Sequence, residues 1–118
     1  MTRRNVAGHW ALGRRAEDDA AAFVGRLGMR VLARNVRGAG GEVDIIAEDR
    51  GTIAFIEVKA RSSNAFGSAL SAVDARKRRR LRAMAQDYLQ VVAPHARARF
   101  DVLTIDRGGM TLHRNAFS

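Results

Sequence analysis

The sequence predicts an α/β fold with its elements in the order αβββαββ. Three observations carry this. An early stretch repeats its apolar residues at helical spacing, two runs near the middle alternate with period two across a tight turn, and a long second helical stripe precedes the single proline, Pro94, and two final strand-like runs. At 118 residues the chain is long enough for one core. No linker, internal repeat or low-complexity segment divides it.

Residues 1–12, MTRRNVAGHWAL, hold no sustained period and read as a flexible basic arm that Trp10 can dock, leaving residues 13–118 as the domain. From Arg14 the pattern turns helical. Ala16, Ala20, Phe23, Val24 and Leu27 share a face and Gly28 offers the stop. Glu17 lies beside that face, where a first-turn carboxylate is already favoured by the helix dipole. Residues 29–36 alternate loosely as a strand. The RGAGG that follows is a hairpin turn rather than a phosphate loop, since no Gly-Lys-Ser/Thr comes after it.

Two strands follow, near 42–49 and 52–61, joined by an Asp-Arg-Gly turn. Alternation assigns their faces. In the first, Val43, Ile45 and Ala47 point one way and Glu42, Asp44 and Ile46 the other. In the second, Ala54, Ile56, Val58 and Ala60 oppose Ile53, Phe55, Glu57, Lys59 and Arg61. If Asp44 shares the side of Glu57 and Lys59, two carboxylates and an ammonium converge.

The long helix spans about 70–92, with the stripe Leu70, Val73, Leu81, Met84 and Tyr88. Lys77 falls in the middle of that stripe, either snorkelling past its neighbours or directed inward for a purpose. Arg76, Arg78, Arg79, Arg80 and Arg82 cover the rest of the circumference. The runs ARFDVLTI and MTLHR complete the order. His9, His95 and His113 are isolated, match no metal-ligand spacing and are assigned no role.

Composition narrows the function. Arginine and lysine number 21 against 12 acidic residues, and only two of the 21, Lys59 and Lys77, are lysine. An Arg-rich, Ala-rich composition of this kind replaces lysine wherever the two are equivalent, which singles out both positions. The net charge of +9 points to a polyanionic partner. With no 18-residue apolar run and no signal-peptide core, nucleic acid is expected rather than membrane, and the cytoplasm as the location. The absence of cysteine excludes disulfides and thiolate metal sites.

Paired carboxylates are hard oxygen ligands that hold Mg2+ or Mn2+ and leave positions for water and a phosphate. An adjacent lysine adds a compact cation for the transition state. The same residues could instead form a structural Glu57–Lys59 ion pair with Asp44 in a turn.

Asp44, twelve residues, then Glu57-Val58-Lys59 resembles the D…(D/E)XK signature of the PD-(D/E)XK nuclease superfamily, with Val43 where the superfamily's proline stands. A longer series, GRRAEDDAAAFVGRLG, GEVDIIA, FIEVKAR, FGSALSAVDARKRRRLRAMAQDYL and RFDV, resembles in order and spacing the YraN family of bacterial proteins related to archaeal Holliday junction resolvases. The likeness covers about Gly13 to Ile105.

This resemblance implies a restriction-endonuclease-like three-layer fold, a central mixed β-sheet flanked by helices. It implies a divalent metal, Mg2+ or Mn2+, on Asp44 and Glu57, with the Val58 carbonyl and Glu17 completing the ligands and Lys59 as the catalytic lysine. Glu42 would support the site or face the substrate; independently of the resemblance, Lys77 is expected to support the site or contact the substrate, and the charge places Arg61 and the helix arginines on nucleic acid. The expected function is a metal-dependent endonuclease acting on DNA, branched or structured DNA included. A homodimer is expected by analogy, because a four-way junction offers two symmetric cleavage positions. The alternative is a non-catalytic nucleic-acid-binding protein using the same basic surface.

Overall fold

A computed structural model describes residues 9–38, 40–60 and 74–117, with the backbone alone for 9–14. The elements are α1 (His9–Arg26), β1 (Arg30–Gly38), β2 (Gly41–Asp49), β3 (Thr52–Ala60), α2 (Ala75–Val92), β4 (Arg97–Asp106) and β5 (Gly109–Phe117). The order is the expected αβββαββ. The five strands lie in sequence order in one sheet. β3 and β4 are parallel and every other neighbouring pair is antiparallel, so the sheet is mixed. Parallel neighbours need a crossover, and α2 supplies it.

The helices pack on opposite faces, which makes the three layers of the restriction-endonuclease-like arrangement. On one face Ala20 and Val24 of α1, one turn apart and fully buried, meet Ile45, Ala47, Ala54, Ile56 and Leu103. On the other, Leu81, Met84 and Ala85 of α2 meet Ile46, Ile53, Phe55, Phe100 and Val102. Phe55 anchors this second cluster, edge-on to Tyr88 at 6.0 Å and tilted against Phe100 at 5.7 Å.

Several boundaries differ from the sequence reading. α1 begins at His9 rather than Arg14, so residues 9–12 of the expected arm are helical; no proline interrupts that stretch, and Gly13 alone does not break a helix. Residues 1–8 lie outside the described residues, as does the Trp10 side chain. Leu27 is 40% exposed instead of buried, because the chain leaves the helix at Gly28, whose φ of 96° is the left-handed stop. α2 begins at Ala75, capped by Asp74, whose carboxylate accepts the Lys77 backbone N–H at 2.9 Å. Leu70 and Val73, expected at its start, are outside the described residues.

Strand alternation holds in β3 but fails in β2. Val43 packs in the α2-side cluster with Ile46, while Ile45 and Ala47 face α1. The break spans Asp44. Across from it, between the pairs Arg34–Ile45 and Val36–Val43, Asn35 of β1 has a φ of 53°, so the ribbon turns out of its pleat there. The β2–β3 register likewise runs from Asp49–Thr52 only to Ile45–Ile56.

Away from this point, Asp101 is fully buried on β4. It accepts Arg99 Nε at 3.0 and 3.1 Å and the Asn115 N–H at 2.8 Å, and Arg99 also reaches Asp49 at 2.7 Å. Asp101→Ala would leave a half-buried guanidinium short of a partner and the Asn115 amide unsatisfied. A loss of about 3–5 kcal/mol is expected from urea unfolding, and a loss below about 1 kcal/mol would show the network to be ornamental.

Candidate metal centre

Where β2 parts from β3, side chains take over from the ladder. Asp44 Oδ2 accepts the Val58 backbone N–H at 2.8 Å, in the position a neighbouring strand's carbonyl would occupy. This turns the Asp44 carboxylate toward β3 and away from either simple face. Glu42, two residues earlier, follows it. From α1, Glu17 arrives one turn before Ala20, next to the buried stripe as its spacing requires.

Carboxylate oxygens of Glu17, Glu42 and Asp44 all lie within 4.8 Å of one another. Asn35 ties two of them together: with its amide oriented to suit its neighbours, its nitrogen donates to Glu17 Oε1 at 3.2 Å and to Glu42 Oε2 at 2.8 Å. Arg37 approaches Glu42 at 3.4 Å. Sequence reasoning missed Asn35 entirely. The available signal was an asparagine inside a strand pattern, a residue type that tolerates positive φ.

Glu57 is not in this mutually close set, although its charge acts on Asp44 more strongly than those of Glu17 and Glu42 do. It is 7% exposed, and its Oε2 pairs with the ammonium of Lys77 and, at 3.2 Å, with that of Lys59. Glu57 and Lys59 thus share a side, as alternation required. Lys77 is directed inward, as its place in the helical stripe suggested. Burial works against the Lys77 charge, but its contacts with Glu57 outweigh that and hold its pKa above the ordinary lysine value. The trio, Glu57, Lys77 and Arg80 line one cavity of about 530 Å³ between the β1–β2 turn and α2. Gly40 lets that turn approach closely, since a Cβ there would lie 3.3 Å from the Arg80 carbonyl oxygen.

Asp44 carries the strongest perturbation in the cavity. Burial pushes its pKa up to about 7; the negative charges of Glu57, Glu17 and Glu42 add to this and the Val58 N–H opposes it. Between its ordinary value and about 7, the folded protein binds a proton that the unfolded chain does not, so metal-free stability falls as pH rises through that window. A decline of about 1–2 kcal/mol between pH 5 and 8 is expected from chemical denaturation in chelator, reduced from the full shift by partial exposure. Flat stability over that range would show Asp44 to be ordinarily acidic.

The donor set fits a hard divalent cation. Three half-buried carboxylates with mutually close oxygens repel one another without one, and a fourth shares their cavity. Of the expected ligands, the side chains of Asp44, Glu57 and Glu17 line one cavity. Glu17 and Asp44 are adjacent, Glu42 joins them directly, Glu57 is engaged by lysines, and Val58 contributes its N–H to Asp44.

Of the expected nucleic-acid contacts, Arg76, Arg79, Arg80 and Arg82 are exposed on α2 and Arg78 is half-buried, its guanidinium 5.5 Å from the Phe117 ring centroid. Arg61 lies outside the described residues. Among the histidines, His95 is exposed and His113 Nε2 is 3.1 Å from Thr104 Oγ1. Among the described residues, no helix is long and apolar enough to cross a membrane.

This α/β/α arrangement with an acidic cavity at the β2–β3 split coincides with a recognised family. The model of the uncharacterised protein family UPF0102, which is the YraN family, matches residues 16–105, and the chain belongs to that family. A UPF0102 protein of Dechloromonas aromatica (strain RCB) is 44% identical over 108 residues, covering 92% of this chain and 89% of that one. Another, from Shewanella loihica (strain ATCC BAA-1088 / PV-4), is 41% identical over 111 residues, covering 94% and 97%. A third, from Persephonella marina (strain DSM 14350 / EX-H1), is 37% identical over 109 residues, covering 92% and 94%.

Proposed function

We propose that the protein is a metal-dependent nuclease that hydrolyses phosphodiester bonds in DNA, branched or structured DNA included. The observation that carries the reading is the juxtaposition, in one cavity, of the Glu17–Glu42–Asp44 trio with Glu57, to which Lys59 is paired at 3.2 Å. Asp44, Glu17 and Glu42 would hold Mg2+ or Mn2+, with Glu57 beside them. The chemistry such an ion supplies is neutralisation of charge on the phosphate and acidification of water. Lys59 holds an ammonium beside Glu57 and would donate hydrogen bonds to the attacking water or to the phosphate oxygens on which negative charge develops. The Val58 N–H fixes the Asp44 carboxylate, so that it need not reorganise when a ligand arrives. The arginines of α2 attract the flanking phosphates and set the register of the substrate.

Binding should depend steeply on salt. If about six phosphates are neutralised, the logarithm of the association constant falls with that of salt at a slope near about −5. Fluorescence anisotropy with labelled duplex measures this, and an affinity that barely changes from low to moderate salt would contradict the assignment.

A protein that binds nucleic acid without cutting it is the rival reading. The +9 charge supports it equally, but it leaves the buried carboxylates without a use, since they oppose phosphate binding. Cytoplasmic location and a homodimer on four-way substrates belong with the nuclease reading. Single-stranded, duplex, flap and four-way DNA incubated with Mg2+ or Mn2+ separate the two. Cleavage of at least one substrate, stopped by chelator, is expected; uncut DNA across the panel at saturating protein would favour the binder.

A further inference from the structure

Lys77 is a cation that the acidic cavity already contains and, among the described residues that line it, the one paired with a carboxylate of that lining. Its ammonium sits on Glu57 Oε2, the same oxygen that Lys59 reaches at 3.2 Å, and Glu57 is otherwise withdrawn from solvent. Its backbone is held as firmly as its side chain, because the N-cap Asp74 accepts the Lys77 N–H in the first turn of α2. Lys77 and Glu57 both line the cavity of the carboxylate trio, yet Glu57 is outside the group whose oxygens lie within 4.8 Å.

We propose that Lys77 is a positioning residue that acts as an internal latch: it occupies the Glu57 carboxylate beside the trio, and a divalent cation must displace it to recruit that fourth carboxylate. The inference rests on the metal-centre reading and adds the regulation of that site. A buried, ionised carboxylate left unpaired carries a large desolvation cost, and in the metal-free protein Lys77, together with Lys59, meets it. An ammonium and a metal ion on the same carboxylate repel each other, so each weakens the other's hold, by equal free energies in both directions. Once displaced, Lys77 swings toward the cavity rim beside Arg80, where a phosphate can take it. The ion and the substrate thus each claim one partner of the same ion pair.

Mn2+ affinity, measured by titration calorimetry on the full chain without DNA, tests this independently of catalysis. Lys77→Met should bind Mn2+ about tenfold more tightly than wild type, in the usual range of site-to-site coupling. Lys77→Arg, which keeps the cation, should stay near wild type. Arg80→Met removes a charge from the same cavity and controls for the general field; its affinity should change by less than about threefold, as expected of an exposed charge. Circular dichroism verifies folding, and Lys77→Gln, expected to tighten binding similarly, replaces the Met variant if that one unfolds. Equal or weaker Mn2+ binding by the neutral variants, with wild type binding normally, would overturn the latch and leave the metal centre standing. No Mn2+ binding by wild type or by either neutral variant would overturn both.

Discussion

Asp44→Asn should reduce cleavage by at least about 10³-fold, more than the loss of a single transition-state contact, because the whole ion is lost with its ligand. DNA affinity should be unchanged or higher, since the substitution removes a negative charge from the cavity that would face phosphate on the proposed function. Stability supplies an independent readout. The asparagine oxygen can still accept the Val58 N–H that Asp44 accepts at 2.8 Å, while the burial and the neighbouring charges that push the Asp44 pKa to about 7 no longer oppose folding. The metal-free variant should therefore unfold at higher denaturant than wild type at pH 8, and the gap should close toward pH 5 as wild-type Asp44 takes up its proton. Single-turnover cleavage and urea melts at both pH values measure these effects. Wild-type cleavage by the asparagine variant would remove Asp44 from the mechanism.

Lys59→Arg should cut the cleavage rate by about 10² or more while preserving fold and binding. Lys59 is 26% exposed and lies 3.2 Å from a buried carboxylate whose same oxygen Lys77 also holds. A guanidinium is planar, bulkier and fixed in charge, whereas an ammonium is a compact point cation with freely rotating donors. The same exchange at Lys77 should be far milder, because a guanidinium can still pair with Glu57 and can still be displaced. Rates measured with protein in excess over DNA decide between them. A Lys59→Arg protein that cuts as fast as wild type would make this lysine an accident of composition.

How far the site was legible in the sequence depended on whether local periodicity survived folding. Period two put Glu57 and Lys59 on one side of β3, and the helical wheel turned Lys77 inward, because β3 is central and α2 regular. The same rule misplaced Val43, since alternation assumes an unbroken pleat and β2 twists opposite the positive φ of Asn35. It did place Glu42 beside Asp44 on one side of β2; that the two reach Glu17 depends on how α1 crosses the sheet, which no spacing in β2 encodes. The Lys77–Glu57 pair spans 20 residues and exists only because α2 packs over β3. Charge and composition indicated an anionic partner but carried no information on which carboxylates a lysine would occupy.

Anomalous diffraction from crystals grown with Mn2+ tests the metal centre most directly. A peak is expected in the cavity at about 2.0–2.3 Å from carboxylate oxygens of Asp44 and at least one of Glu17 and Glu42, with the Lys77 ammonium drawn off Glu57. An empty cavity at saturating Mn2+, with Lys77 still on Glu57, would contradict it.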